Sequence, residues 1–244
     1  PKKMEYSLYL LSLKEFNLDS FMNYLVWKPL KNIGRKLDFL TVNRLVLLFI
    51  PAYFGGIVFL FFGEIESEHT HQYLPGLFAL IGLLMILKSF SERKSPLMSW
   101  LLLIMNHFWI ALAISFNEHL DVIELIIYLS GVVVSGLVGY WGIQKLKSYE
   151  KNIDLEQFHG HAFEHPKFAM IFFLACLGLA GFPITPTFIG LDLVFSHIHE
   201  TQIVLAYAAA SSYVLAGISL IRLYARLFLG PHVKTYHESA YKSS

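Results

Sequence analysis

Apolar stretches recur along the chain between polar or charged segments: Leu45 to Phe62, Tyr73 to Leu87, Leu97 to Phe116, Leu125 to Ile143, Phe168 to Leu191 and Thr201 to Ile221. An α-helix needs about 20 apolar residues to cross a hydrocarbon core of about 30 Å. Each stretch is near that length. Tyr73 to Leu87 is the short one, and Lys88 at its end extends it by burying its stem and snorkelling. The pattern predicts an all-α polytopic transmembrane bundle of about six spans, in which residues 168–199 form one discontinuous helix.

The discontinuity is written in "GLAGFPITPTFIGLDLVF", residues 178 to 195. Pro183 and Pro186 lack the N–H that would continue a helix, and each pushes the residue before it out of the α region. The expected halves run from about Phe168 to Phe182 and from about Phe188 to His199, with the break marked by Gly181, Pro183, Pro186 and Gly190. Open backbone at membrane depth is tolerated where protein or a water-filled cavity receives it, so the break suggests a polar pathway. A proline kink that only shapes the bundle is the structural alternative.

Charge sets the orientation. Lys28, Lys31, Arg35, Lys36 and Arg44 precede the first span, "KSFSERKSP" follows the second, and Lys145, Lys147, Lys151 and Lys167 occupy the loop after the fourth. Arg222, Arg226 and Lys234 follow the last span. Basic loops mark the cytoplasmic side. Both ends are therefore expected inside, with "GEIESEHTHQ", "NEHLD" and "SHIHETQ" outside. One broken crossing over 168–199 satisfies this alternation.

Composition agrees: 244 residues, 55% hydrophobic and 15% charged, with a mean hydropathy of +0.53. A net charge of +1 argues against nucleic acid as a partner. The single Cys176 lies in an apolar stretch and reads as an inert core residue. No cleavable signal peptide is evident, and a first residue of Pro1 suggests a piece of a longer chain.

Chemistry is sparse. Asp192 lies just past the break, and an acid near the bilayer centre costs about 2.5–3.5 kcal/mol even on lenient scales, so it favours a cavity or partner. Asp192, Ser196 and His199 share a helical face and form a candidate proton row. The alternative is that Asp192 complements the dipole at the start of the second half-helix. His107, beside Asn106 in mid-span, is a further candidate carrier or an interhelical contact. His161 and His165 have metal-ligand spacing if helical. Without a cysteine partner the loop histidines read as solvated, and no metal or cofactor is expected. Neither a Gly-rich phosphate loop nor a nucleophile–base pair stands in the chain. Gly131, Ser135 and Gly139, at four-residue spacing, let helices approach closely. Residues 1–44 read as an amphipathic interfacial or docking segment, 45–230 as the transmembrane domain and 231–244 as a cytoplasmic tail.

The stretch "DLEQFHGHAFEHPKFAMIFFLACLGLAGFPITPTFIGLDLVFSHI" resembles the signature region of the antiporter-like subunits of respiratory complex I, membrane-bound hydrogenases and multisubunit cation/proton antiporters. The matching positions are Asp154, Leu155, Phe158 and Gly160, then Pro166, then Leu179 to Pro183, then Phe188 to Gly190. Residues 145–228 carry this likeness. Weaker similarity touches "YLVWKPLKNIGRKLD" (24–38) and "HLDVIELIIYLSGVVVSGLVGYW" (119–141). In the family a lysine or glutamate commonly follows "F-I-G". Here Leu191 stands there and Asp192 one place later, about 100° around a helix. The family's other intramembrane lysines and glutamate have no counterpart: the spans at 45–62, 73–87, 125–143 and 201–221 contain no Lys, Asp or Glu.

The resemblance implies a non-catalytic membrane subunit of a proton-translocating, NADH-quinone oxidoreductase-like complex. Its expected home is an energy-transducing membrane such as the bacterial inner membrane. The expected partners are other membrane subunits, the lipid bilayer and peripheral cytosolic subunits. The rival readings are a relay-deficient scaffold and a membrane partner in proton-coupled inorganic carbon uptake.

Overall fold

The computed structural model describes residue 12 and residues 17–62, 68–117, 122–150 and 153–231. Most of the expected outer loop at 63–72, Asp121 and the tail from 232 lie outside the residues whose side chains are described. Helices α1 (Leu18–Met22) and α2 (Lys28–Lys36) flank a wider turn at Asn23–Trp27. Then follow α3 (Val42–Phe62), α4 (Glu68–Ser91), α5 (Pro96–Ile114), α6 (Val122–Tyr149), α7 (Pro166–Leu179), α8 (Pro186–Ser196) and α9 (Ile203–Phe228).

Among the described residues five helices are long and apolar enough to cross a membrane: α3, the Tyr73–Ser91 part of α4, α5, α6 and α9. The protein is an all-α polytopic bundle. Helices α7 and α8, of 14 and 11 residues, reach about 21 and 16 Å at 1.5 Å per residue, too short to cross singly. Together they supply the expected discontinuous element.

Helix α5 is the axis of the bundle, with 78% of its apolar window buried, whereas α3 at the periphery has 11%. Ser95 caps α5, its Oγ accepting from the Met98 N–H at 3.1 Å, and Pro96 takes the first helical position, where a missing N–H costs nothing. The preceding turn is closed by Glu92, whose carboxylate accepts from the N–H groups of Arg93, Lys94 and Ser95.

Lys88 does not snorkel to water. It is 3% exposed, and its Nζ lies 2.5 Å from Asp38 and 2.8 Å from Glu92. The segment after α2 thus supplies a carboxylate that keeps the ammonium inside. On the same side Gly34 packs against the Leu87 carbonyl and Ser91, and the Trp27 ring lies 5.6 Å from that of Phe90, tilted by 36°. The N-terminal segment is seated on the end of α4.

Helix α6 packs along both α7 and α8. Its small residues make that possible. A Cβ on Gly131 would lie 2.6 Å from Thr187 Oγ1, and one on Gly178 would lie 2.1 Å from Ser135 Oγ. Gly139 receives the Trp100 ring, whose indole N–H donates to the Gly136 carbonyl at 2.9 Å.

Candidate functional site at the helix break

The first half-helix stops in a Schellman arrangement. Gly181 takes a left-handed φ of +72°, the Phe182 N–H bonds to the Leu177 carbonyl at 3.1 Å, and the Gly181 N–H to the Gly178 carbonyl at 3.4 Å. After Pro183 and Ile184 the chain enters α8, with Pro186 at its first turn. The non-helical stretch is Ala180 to Thr185, so it begins and ends earlier than expected. Pro186 opens the second helix because its fixed φ suits that position. Gly190 lies inside that helix, where it gives room to the Tyr128 ring.

That ring belongs to a buried polar chain. His107 of α5 is 1% exposed, and its Nδ1 lies 2.8 Å from the Tyr128 hydroxyl of α6. The Tyr128 hydroxyl lies 3.1 Å from that of Tyr213 of α9. Both tyrosine rings meet the imidazole edge-on at 5.9 Å. The Leu179 carbonyl, on the last residue of α7, also lies near the imidazole, without closing a well-formed bond to Nε2. His107 is therefore placed against the open end of the broken helix. Asn106, whose two amide atoms are buried without protein partners, and the Thr187 hydroxyl, likewise buried and unpaired, extend the polar character of this interior. Buried groups of this kind are the ones that internal water satisfies.

Asp192, Ser196 and His199 sit elsewhere. Asp192 is exposed on α8, on a surface shared with Phe188, Ile189 and Phe195. Ser196 Oγ donates to the Leu193 carbonyl at 3.2 Å and meets His197 Nδ1 at 3.1 Å. The His199 N–H bonds to Gln202 Oε1 at 3.3 Å. That glutamine is locked to Asn117 through two amide contacts of 2.9 and 2.8 Å. Helix α8 ends at Ser196, so His199 lies beyond it and the three share no helical face, and no hydrogen bond or ion pair joins Asp192 to the other two. His107 is the candidate that the fold brings to the break. Tyr128 and Tyr213 were not anticipated; their only sequence signal is a phenol within each of two charge-free spans, near the start of 125–143 and midway along 201–221.

His159, His161 and His165 depart from the solvated reading, whereas His199 is exposed as expected. His161 is 4% exposed, and His159 and His165 are nearly as enclosed, because the loop folds back onto the end of α9. The His159 N–H bonds to the Arg226 carbonyl, and the His161 and Ala162 N–H groups to those of Leu227 and Phe228.

The fold and interior define a polytopic membrane bundle with a broken helix and a buried imidazole–phenol chain. Over part of its length the chain is similar to a subunit of NADH-ubiquinone oxidoreductase. Over 63 residues, 26% of its length, it is 38% identical to NADH-ubiquinone oxidoreductase chain 4 of Dictyostelium citrinum, and this stretch spans 15% of that protein. Chain 4 of Dictyostelium discoideum is 38% identical over 63 residues, 12% of its length. No protein-family model matches, and no solved structure matches significantly.

Proposed function

We propose that the chain is a membrane subunit of a proton-translocating complex, with His107 as the protonatable group at the helix break. The observation that carries this reading is the hydrogen-bonded chain from His107 through Tyr128 to Tyr213, drawn from three helices and abutting the end of α7. An imidazole has two ring nitrogens, so it can accept a proton on one side and release it from the other. Phenol hydroxyls both donate and accept, and so can pass a proton on. The partial homology to complex I chain 4 supports the same class.

Asp192 enters this reading through assembly. An exposed carboxylate on an apolar surface at membrane depth is costly unless a neighbouring subunit covers it. Its role is to face a partner membrane subunit, at a second proton position outside this chain's own core.

The test is proton flux of the assembled complex in proteoliposomes. His107→Leu is expected to lower flux by on the order of 100-fold while the complex stays assembled. Wild-type flux in His107→Leu refutes the role of His107. Unchanged flux in both that variant and Asp192→Asn leaves a scaffold that docks other subunits.

A further inference from the structure

The loop that feeds the broken helix gathers a second cluster, unrelated to the His107 chain. Glu150 follows the last residue of α6, while Glu164 and His165 directly precede α7. One ligand atom from each of Glu150, Glu164 and His165 lies within 4.8 Å of the other two. His165 Nε2 is 3.5 Å from Glu150 Oε1, and His161 Nδ1 is 3.7 Å from that same oxygen.

These separations fall in the range of a loose imidazole–carboxylate pair, and they also fit a shared metal ion. A good N–H···O hydrogen bond spans about 2.7–3.2 Å. A tetrahedral zinc ion with bonds of about 2.0–2.1 Å holds its ligand atoms about 3.3–3.4 Å apart. The observed spacings lie nearer the second value. His165 Nε2 is shut off from solvent and makes no hydrogen bond, and although His165 precedes α7, its side chain does not cap that helix.

The donors are also held in place. A single turn, closed by the His165 N–H on the His161 carbonyl at 2.8 Å, sets the two histidines on one side. The His161 ring stacks on His159 at 5.2 Å with 7° between planes, and the His165 ring on Tyr149 at 5.3 Å with 25°. Such fixed rings are what a metal site needs. The chemistry selects the ion: calcium and magnesium want oxygen alone, whereas a mixed imidazole–carboxylate set suits zinc and its first-row neighbours. Two carboxylates balance a dication.

We propose that Glu150, Glu164 and His165 bind a structural zinc ion that clamps the entry of the broken helix to the end of α6, with His161, now beside only Glu150 of the three, moving in as the fourth ligand when the ion binds. Such an ion would join two segments separated by the 151–163 loop.

The full chain, carrying an affinity tag free of histidine, is purified in mild detergent, stripped with chelator, reloaded with Zn²⁺ or Co²⁺ and desalted. Metal content and the visible spectrum of the cobalt form are then read. Stoichiometric zinc and the intense visible bands of four-coordinate cobalt are expected. Glu150→Gln and His165→Gln are each expected to weaken retention at least about tenfold, and His199→Gln to leave it unchanged. Wild-type retention no greater than that of the two cluster variants, or an equal loss in His199→Gln, overturns the site. Should the cluster variants fail to fold, the wild type decides alone: zinc raises its thermal midpoint and chelator reverses this, and a midpoint indifferent to both refutes the proposal. None of these readouts depends on proton flux.

Discussion

The sharpest perturbation of the His107 chain is one that never touches its polar atoms. Gly190 lies in α8, and a Cβ built there would sit 1.9 Å from Tyr128 Cδ2, with Cγ at 2.3 Å and Cε2 at 2.4 Å. Carbon atoms in ordinary contact are about 3.5–4.0 Å apart, so in Gly190→Ala the ring or the helix must retreat by about 1.6 Å. Tyr128 is wholly buried. Its hydroxyl would move out of bonding range of His107, now at 2.8 Å. Overpacking costs about 1–3 kcal/mol, and alanine returns about 1 kcal/mol of that through its better helix propensity, so the stability loss is modest. The functional loss is expected to be larger, because misplacing a proton-transfer group by about 1 Å costs on the order of 100-fold.

Gly139→Ala is the matched control. A Cβ there would lie 1.9 Å from Trp100 Cζ2, the same overlap in the same bundle, but the ring it displaces has no part in the His107 chain. Both variants should lose similar thermal stability in detergent, and only Gly190→Ala should lose proton flux in proteoliposomes. Gly217→Ala, inside α9 with nothing within 4 Å of the new atom, should leave flux unchanged and raise stability by about 1 kcal/mol through helix propensity. Equal loss of flux in the Gly190 and Gly139 variants would refute the reasoning, because flux would then follow general packing.

Two further outcomes are expected. Tyr128→Phe keeps the ring and removes the hydroxyl that meets His107 and Tyr213; it should cost about 1–3 kcal/mol for the partners left unpaired and reduce flux as His107→Leu does, measured in the same proteoliposomes. Burial alone would raise the Glu92 pKa, but the Lys88 hydrogen bond and the Lys94 and Ser95 N–H groups outweigh it and hold the carboxyl below its usual value. A depressed folded-state value means that the stabilisation is complete above the ordinary carboxylate range and is lost as pH falls through the lowered one. The α4–α5 turn should therefore loosen only in acid, with Glu92→Gln removing that step from a pH series of thermal midpoints.

The spans were legible from hydropathy because insertion is a local sum: each stretch carries its own transfer free energy whatever lies beside it. The break was legible for the same reason, since Pro183 and Gly181 act on their own backbone. Its far edge was placed too late, because a proline that ends one helix can equally begin the next, as Pro186 does. Pairings were not legible. Nothing near Lys88 in its own helix foretold Asp38 from the N-terminal segment. The solvated reading failed for His159, His161 and His165 because the backbone that holds their loop belongs to the end of α9.

The same distinction decides between the two proton candidates. Asp192 drew notice because a charge inside an apolar run is visible one residue at a time. His107 is chemically quieter, and its place in the proposed path rests on the hydroxyls of Tyr128 and Tyr213 from two other helices. Asp192 stands one position beyond the end of "F-I-G" plus one, and that one residue of rotation, about 100°, is consistent with where it lies: exposed beside Phe188 and Phe195, while Leu193 and Val194 next to it face the core. A chain that used Asp192 alone would have to work at its outer surface, and so through a neighbour. A chain that uses His107 keeps a protonatable group in its own interior. The Gly190 and Gly139 pair separates these cases, because only the interior chain depends on where the Tyr128 ring stands.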